Sequence, residues 1–388
     1  MKVLLITPYS PLRHHDHAAN DVMRPLVEAL GQAMDLHVYA PGQRNGGLAS
    51  WRINDVTYHA GADVLRRQSD RLDMYSYAAR GSWSRQSTRE VLTIARAVKP
   101  DIVHAEYAQA AEPLFRVRRA GLPIRTSIML HDLPGEWADA SADSEGWLRT
   151  SLGRLERAKT NNLKRLVLTA IDALLVFSER DREKLRNASG IVAVTQIGFT
   201  PGECSWVGDA PQVAAFGGAL WRLENELTAI HLAREVLPLV RTRLPQAQLR
   251  IFGARPSAQV SALSDEPGVT VVGEVADYDD EFRHAAVTLA PAMVDAGVLM
   301  KALRAMSIGC PVVLNSVSAG PIVGLKNGIH ALVGDGPAEL ADQIAAAMQD
   351  RVRAQRIGSA ARELVRNQYS WDRTVQIYAR VFDHLLHG

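Results

Sequence analysis

Two neighbouring glycines, Gly217 and Gly218, follow an apolar stretch and precede a helical pattern, an arrangement that could bind an anion. Glycines at such a turn let backbone N–H groups approach a phosphate, and the N-terminus of the next helix adds partial positive charge. The alternative is a tight turn that needs positive φ and binds nothing. Because a pair of glycines after a strand is a weak signal by itself, both interpretations stay open.

Histidines and carboxylates end two apolar stretches in the first half of the chain. His131 and Asp132 follow one of them, and His104 and Glu106 end the preceding one. A histidine in such a place can hydrogen-bond a ligand hydroxyl at neutral pH without adding a fixed charge. We therefore predict catalytic roles for His131 and Asp132, with a loop histidine satisfied by its neighbours as the alternative.

A run of four residues, His14-His15-Asp16-His17, is the strongest candidate for metal binding in the sequence. Consecutive side chains seldom all face one ion, and no distant Cys or Glu stands at a suitable spacing. We predict no metal site here. A loop that reaches the ligand-binding site is the favoured interpretation, with His17 as its candidate residue.

Strand and helix patterns alternate along the chain and predict an α/β fold with two doubly wound, Rossmann-like domains facing a cleft. Between the two halves, residues 198–212 are rich in Gly and Pro and predict a linker. The first domain should comprise 1–197, with a last helix, 372–388, packing back on it, and the second should comprise 198–371. Ligands bind at the carboxyl ends of the strands in such sheets. Strands are predicted at 3–6, 36–39, 100–104, 125–130, 173–177 and 191–194, then at 213–217, 248–252, 269–272, 286–290, 311–314 and 331–333.

Composition excludes several classes of protein. Of 388 residues, 47% are apolar and 22% are charged, which is ordinary for a globular chain and argues against disorder or a fibre. The net charge of +2 gives no reason to expect nucleic acid as a partner. Cys204 and Cys310 stand far apart and predict neither a disulfide framework nor a metal site, so a reducing compartment is the simplest expectation.

No stretch of the sequence has the pattern of a signal peptide or a membrane span, so we expect a cytoplasmic protein. The longest apolar stretch, 166–177, is interrupted by Thr169 and Asp172. Residues 149–165 form a basic helical pattern whose charges fall at mixed phases. A solvated face is favoured there, and peripheral contact with anionic lipids at the inner face of the membrane stays open as the alternative.

The segment from Gly297 to Val313 resembles the motif G-x-x-x-K-x-L-E-A-M-A-x-G-x-P-V-V of retaining glycosyltransferase family 4, the glycosyl transferases group 1. The residues that match in place are Gly297, Lys301, Leu303, Ala305, Met306, Gly309, Pro311, Val312 and Val313. The ending Tyr369-Ser370-Trp371-Asp372 also resembles the closing motif of the family. The resemblance covers most of 213–385 and is looser over 1–200. It implies the two-domain GT-B architecture.

The chain departs from the family pattern at several positions. Family members carry a Glu, which usually contacts the donor ribose, where this chain has Arg304. The acid eight residues earlier falls on Ala296, with Asp295 one residue away, so the E-x7-E pair is degenerate. Residues 14–19 replace the Gly-Gly pair found near the N-terminus of many members.

The resemblance implies transfer of a sugar from a nucleotide-sugar donor, with retention of configuration, to a polysaccharide, lipid-linked or natural-product acceptor. The donor should bind the second domain and the acceptor the first. On this basis the donor-binding residues should be Gly217, Gly218, Arg222, Gly253, Arg255, Val275, Gly297, Lys301 and Arg304. The acceptor side should include His17, His104 and Glu106.

A donor pyrophosphate carries about two negative charges that cations and amides must balance where no metal does so. No Asp-x-Asp pair stands at a predicted strand end, so we expect no cofactor and no metal. Lys301, Arg222 and the helix N-terminus near Gly297 can supply the positive charge. Arg304 lies one helical turn after Lys301 on the same face and could add a phosphate contact, or it could be a solvated helix residue.

Two other functions stay open. Nucleotide-sugar 2-epimerases, which are isomerases, share the GT-B architecture, although 213–314 resembles them less. The degenerate acid pair at Ala296 and Arg304 would also fit a GT-B module that binds ligand without catalysis.

Overall fold

Two compact units make up the protein. Unit 1 comprises Met1–Gly198 and Trp371–Gly388, and unit 2 comprises Phe199–Ser370. The computed structural model describes residues 1–12, 19–63, 83–131, 133, 151–200, 204–293 and 300–388. Three of the predicted site residues, His17, Asp132 and Gly297, lie outside these ranges.

Unit 1 is built on an eight-stranded sheet. Its strands are β1 (Lys2–Ile6), β2 (Asp35–Tyr39), β3 (Ser50–Ile53), β4 (Val56–His59), β5 (Ile102–Glu106), β6 (Arg125–Met129), β7 (Ala173–Val176) and β8 (Ile191–Val194). They lie in the order β3-β4-β2-β1-β5-β6-β7-β8, with β3 antiparallel to β4 and the other pairs parallel. Because the chain moves outward from β1 in one direction and returns to β5 on the other side, the switch point of the sheet lies between β1 and β5.

Unit 2 is built on a six-stranded parallel sheet. Its strands are β9 (Ala210–Gly217), β10 (Gln248–Phe252), β11 (Val269–Gly273), β12 (Ala285–Leu289), β13 (Val312–Leu314) and β14 (Leu332–Val333). Their order is β11-β10-β9-β12-β13-β14, which places the switch point between β9 and β12. The prediction of two doubly wound α/β units is confirmed.

Helices connect the strands in both units. Those of unit 1 are α1 (Ala19–Ala33), α2 (Arg85–Val98), α3 (Glu112–Arg119), α4 (Ser151–Ala170) and α5 (Glu179–Lys184). Those of unit 2 are α6 (Leu223–His231), α7 (Leu237–Arg243), α8 (Ala258–Ser261), α9 (Tyr278–His284), α10 (Met300–Ser307), α11 (Ser316–Ala319), α12 (Gly336–Gln349) and α13 (Arg351–Gln368). A π-helical turn, Leu232–Val236, joins α6 to α7. The last helix, α14 (Trp371–His387), returns to unit 1.

Strand β1 shows how the core of unit 1 is filled. Val3 and Leu5 pack into one apolar cluster, and Leu4 and Ile6 pack into another, as successive side chains of a strand point to opposite faces. Helices α1 and α14 cover the face of Val3 and Leu5, and α14 contributes the buried Phe382 to that cluster. The last helix is therefore part of the core of unit 1.

Helix α13 packs on α10, and a glycine sets their distance. A Cβ on Gly358 of α13 would lie 2.0 Å from the carbonyl oxygen of Gly309, which follows α10. Since this oxygen belongs to the backbone, it cannot move aside as the end of a flexible side chain could. This contact fixes the position of the helix that carries Lys301.

We expect Gly358→Ala to lower the free energy of unfolding by about 1–3 kcal/mol, the usual cost of overpacking. The steric clash should exceed the gain in helix propensity, which is at most about 1 kcal/mol. Denaturant titration measures the change, with Ser359→Ala as the control because Ser359 is the exposed neighbour on the same helix. An unchanged or higher stability of Gly358→Ala would contradict this packing.

Candidate functional site

Glycines bring the ends of β9 and β10 into close contact. A Cβ on Gly253 would lie 1.7 Å from the carbonyl oxygen of Gly218, and one on Gly217 would lie 2.5 Å from the ring of Phe252. Gly253 also has φ of 142°, a conformation that L side chains rarely adopt. Close packing therefore disfavours any side chain at Gly217 and Gly253, and Gly253 needs positive φ as well.

The amides of this turn are only partly available to an anion. The N–H of Gly218 donates to the carbonyl oxygen of Phe252 at 3.1 Å. This amide, which was expected to bind an anion, therefore already has a hydrogen-bond partner. The N–H groups of Ala219 and Trp221 donate to no residue that the structure describes. An anion at this turn would meet those two amides.

Lys301 lies directly beside the glycine turn. Its Nζ donates to Oδ1 of Asn225 at 2.6 Å and lies 4.2 Å from the centroid of the buried Phe216 ring. Asn225, on α6, in turn donates through Nδ2 to the carbonyl oxygen of Ala219. Burial lowers the pKa of Lys301 to about 7, an effect that Glu224 partly offsets. A desolvated ammonium at the end of β9 is a strong site for an anionic group.

Two arginines stand on the outer side of the same turn. Arg222 pairs with Glu224 two residues on. The guanidinium of Arg255 lies 4.8 Å from the ring centroid of the exposed Trp221, and Arg255 has φ of 52°. Unlike Arg222, Arg255 forms no ion pair within the part of the chain that the structure describes.

Arg304 lies on α10 one turn beyond Lys301, as the spacing predicted. Its Nε donates to Oδ1 of Asp279 at 2.5 Å, and its guanidinium lies 5.8 Å from the ring centroid of Tyr278. The hydroxyl of Tyr278 donates to the carbonyl oxygen of Gly218 at 3.3 Å. Arg304 is therefore held in an ion pair beside the glycine turn, so a phosphate would have to share it with Asp279.

Val275 is half-buried in the loop after β11, next to the end of β10. Unit 2 thus brings most of its predicted donor-binding residues to one edge of the sheet. Three residues that hold that edge together, Asn225, Tyr278 and Asp279, were not predicted from the sequence. The position of Asn225 in the first turn of the helix after the glycines was the one available signal.

A buried carboxylate dominates the corresponding edge of unit 1. Glu106, at the end of β5, is fully buried. Its Oε1 accepts from Nε2 of His104 at 3.0 Å and from the hydroxyl of Tyr378 at 2.8 Å, and its Oε2 accepts from Nε2 of His131 at 2.7 Å. Burial would raise the pKa of Glu106, but the hydrogen bonds from the two histidines outweigh it and lower the pKa to about 2. The carboxylate is therefore ionised at any physiological pH.

His131 is fixed by aromatic rings as well as by Glu106. Its imidazole stacks on Tyr107 with 3.7 Å between centroids and meets the edge of Phe177 at 5.1 Å. Tyr107 has φ of 71°, a strained conformation for a residue with a side chain. Tyr9, after β1, packs its ring edge-on against Tyr107. The imidazole thus lies near the switch point of the sheet in a single orientation.

The structure corrects the sequence interpretation of His104 and Glu106. Both side chains are 0% exposed, so neither contacts an acceptor directly. Glu106 instead contacts His131, whose side chain is 11% exposed, and His104 contacts Glu106. The hydroxyl of Tyr378 completes this cluster from the last helix, a contact that no local sequence pattern could predict.

The remaining sequence expectations concern metals, membranes and the basic helix. Among the described residues, no three His, Cys, Asp or Glu side chains are grouped so that they could hold a metal ion. In the same part of the chain, no helix is both long and apolar enough to cross a bilayer. On α4, Arg157, Lys164 and Arg165 are exposed, whereas Lys159 is buried.

Comparison with known proteins gives two family matches that together span most of the chain. Residues 18–199 match the model described as "Glycosyl transferase 4-like domain", and residues 211–350 match "Glycosyl transferases group 1". No curated protein matches the sequence significantly.

Several solved structures resemble this one over nearly its whole length. Sucrose-phosphate synthase from Thermosynechococcus elongatus has a TM-score of 0.71 and 16% identity, over 99% of both chains. α,α-Trehalose 6-phosphate synthase from Burkholderia multivorans has a TM-score of 0.67 and 12% identity, over 99% of this chain and 96% of that one. Anabaena HepE in complex with UDP-glucose has a TM-score of 0.63 and 14% identity, over 99% of both chains. At these identities the likeness shows a shared fold.

We expect Lys301→Met to stabilise the ligand-free protein more at pH 6.5 than at pH 9.5. The pKa of Lys301 is lowered to about 7 in the fold, whereas an unfolded lysine titrates near 10.4. Between these values the unfolded chain binds more protons, so the stability of the original protein rises with pH, and a methionine removes that rise.

The gain in free energy of unfolding from Lys301→Met should therefore be smaller at pH 9.5 than at pH 6.5. The difference should exceed about 1 kcal/mol, roughly the equivalent of one pKa unit. Denaturant titration at both pH values measures it, and Lys326→Met is the control because Lys326 is exposed. An equal gain in the free energy of unfolding at both pH values would mean that the ammonium of Lys301 is solvated.

Proposed function

This chain belongs to the group 1 glycosyltransferases of GT4 type and has their two-domain GT-B fold, and from this premise we propose how it acts. Unit 2 binds a nucleotide-sugar donor at the glycine turn. The sugar passes to an acceptor on the side of unit 1 that carries His131, with retention of its anomeric configuration and without a metal ion.

The observation that carries this proposal is the position of Lys301. Its ammonium stands at the carboxyl end of β9, where the sheet has its switch point and where the N–H groups of Ala219 and Trp221 have no described partner. A donor diphosphate placed there would meet a cation and two amides. The leaving nucleoside diphosphate needs such donors because negative charge develops on it as the glycosidic bond breaks.

Arginines can add to this positive charge. Arg255 is exposed, stacks on Trp221 and lies at the end of β10, so it can swing toward a phosphate without breaking an ion pair with a described residue. Arg222 can exchange Glu224 for a phosphate oxygen. These cations supply the role that a divalent ion fills in metal-dependent transferases.

UDP is the first nucleotide to test, because the similar HepE structure contains UDP-glucose. The decisive experiment incubates the protein with UDP-, GDP-, dTDP- and ADP-sugars together with candidate glycan and lipid-linked acceptors. Free nucleotide and a new glycoside with retained anomeric configuration, read by proton NMR, support the proposal. A new nucleotide sugar would identify a 2-epimerase, and binding without turnover would identify a non-catalytic module.

Contact with anionic lipids belongs to the same proposal if the acceptor is lipid-linked. Exposed Arg157, Lys164 and Arg165 on α4 offer the positive charge. Sedimentation with phosphatidylglycerol vesicles tests this part separately from the chemistry.

We expect Lys301→Met to weaken UDP binding by about 10- to 100-fold, since a charge-assisted hydrogen bond contributes about 1.5–3 kcal/mol. Uridine, which lacks the diphosphate, should bind both proteins equally. Calorimetric titration of the two ligands measures the difference, and Lys326→Met should behave like the unaltered protein. An equal loss for UDP and uridine would remove Lys301 from the diphosphate site.

We expect full transferase activity in excess EDTA. The countercharge for the leaving diphosphate comes from Lys301 and the neighbouring arginines rather than from a divalent ion. The assay compares the initial rate before and after chelation. Activity that is lost with EDTA and restored by Mg²⁺ or Mn²⁺ would show that a metal takes part.

A further inference from the structure

The hydrogen bonds around Glu106 determine which nitrogen of His131 can meet a ligand. An ionised carboxylate can only accept hydrogen bonds, and its Oε2 lies 2.7 Å from Nε2 of His131. Nε2 must therefore carry a proton. The tautomer of a neutral histidine is set by the bond that one nitrogen makes, so the proton on Nε2 leaves Nδ1 as the acceptor.

The surroundings of the imidazole keep this arrangement in place. Stacking on Tyr107 and edge contact with Phe177 oppose rotation of the ring about its Cβ–Cγ bond. No described residue is hydrogen-bonded to Nδ1 of His131. The side chain of His131 is 11% exposed, so part of the imidazole is open to a small polar group.

The other two donors to Glu106 cannot replace His131. His104 is fully buried between the rings of Tyr378 and Phe382, and its Nδ1 lies 3.1 Å from the hydroxyl oxygen of Ser127. Its two nitrogens are both engaged. Tyr378 comes from the last helix and is buried as well. Both therefore stabilise the carboxylate without touching a ligand.

We propose that Glu106 is a positioning residue that holds His131 with its proton on Nε2, so that Nδ1 accepts a hydrogen bond from a sugar hydroxyl. The last helix takes part through the hydroxyl of Tyr378, which anchors the same carboxylate. The identity of the hydroxyl-bearing ligand rests on the proposed function, whereas the arrangement of protons does not.

The test measures the tautomer directly by long-range ¹H–¹⁵N NMR of the full chain labelled with ¹⁵N-histidine at pH 9, with His131 assigned from the His131→Gln spectrum. We expect Nε2 to be protonated and Nδ1 unprotonated in the unaltered protein. A proton on Nδ1 would overturn the proposal. Because the measurement needs no nucleotide sugar and no acceptor substrate, this result stands even if the protein proves not to be a transferase.

Variants then connect the tautomer to turnover. Glu106→Gln keeps the shape of the side chain but removes its charge, so His131 should populate both tautomers, and kcat should fall about 10²-fold, the scale of a positioned polar group. Donor affinity should stay unchanged, since the donor diphosphate binds unit 2. Retention of the single tautomer in Glu106→Gln would overturn the proposal.

The matched control is Glu90→Gln. Glu90 also accepts a hydrogen bond from a buried tyrosine of unit 1, at 2.7 Å from the hydroxyl of Tyr39, but does not contact His131. The Glu90→Gln variant should be less stable than the unaltered protein, but its His131 signals should be unchanged. If Glu106→Gln does not fold, Tyr378→Phe and its control Tyr39→Phe replace it. We expect Tyr378→Phe to shift the ¹⁵N signals of His131 and Tyr39→Phe to leave them unchanged. If neither variant shifts these signals, the last helix has no role in holding His131.

Discussion

Parallel strands decide where ligand chemistry can occur in this protein. Each crossover helix returns the chain to the beginning of the next strand, so the carboxyl ends of all parallel strands share one edge of a sheet. At the switch points, between β1 and β5 and between β9 and β12, neighbouring connections diverge and leave room for a ligand. His131 lies at the edge of unit 1, and Lys301 lies in the connection after β12.

The two units carry opposite charges at these edges. Unit 1 buries the carboxylate of Glu106, which three hydrogen bonds compensate. Removing any one donor leaves a buried charge less well paired, and such losses are costly. Unit 2 instead places the ammonium of Lys301 against Asn225 and an aromatic ring. Under the proposed function, a neutral hydroxyl meets the first arrangement and a diphosphate meets the second.

Sequence patterns predicted the strands that are buried on both faces, because continuous apolar runs mark them clearly. They did not predict the hairpin of β3 and β4, whose strands are short and whose turn at Asn54 lacks the usual glycine. The motif predicted that Lys301 and Arg304 share a helix face, but the ion pair of Arg304 with Asp279 depends on tertiary packing. The contact of Glu106 with Tyr378 spans 272 positions of sequence, so only the folded chain reveals it.

The central claim is that unit 2 holds the donor through its diphosphate at the glycine turn. A crystal structure of the protein with UDP tests it most directly, because the heavy phosphorus atoms locate the ligand without reference to activity. The account predicts phosphate oxygens within hydrogen-bond distance of Nζ of Lys301 and of the N–H of Ala219 or Trp221. A diphosphate bound to unit 1, or bound to unit 2 away from Lys301, would contradict it.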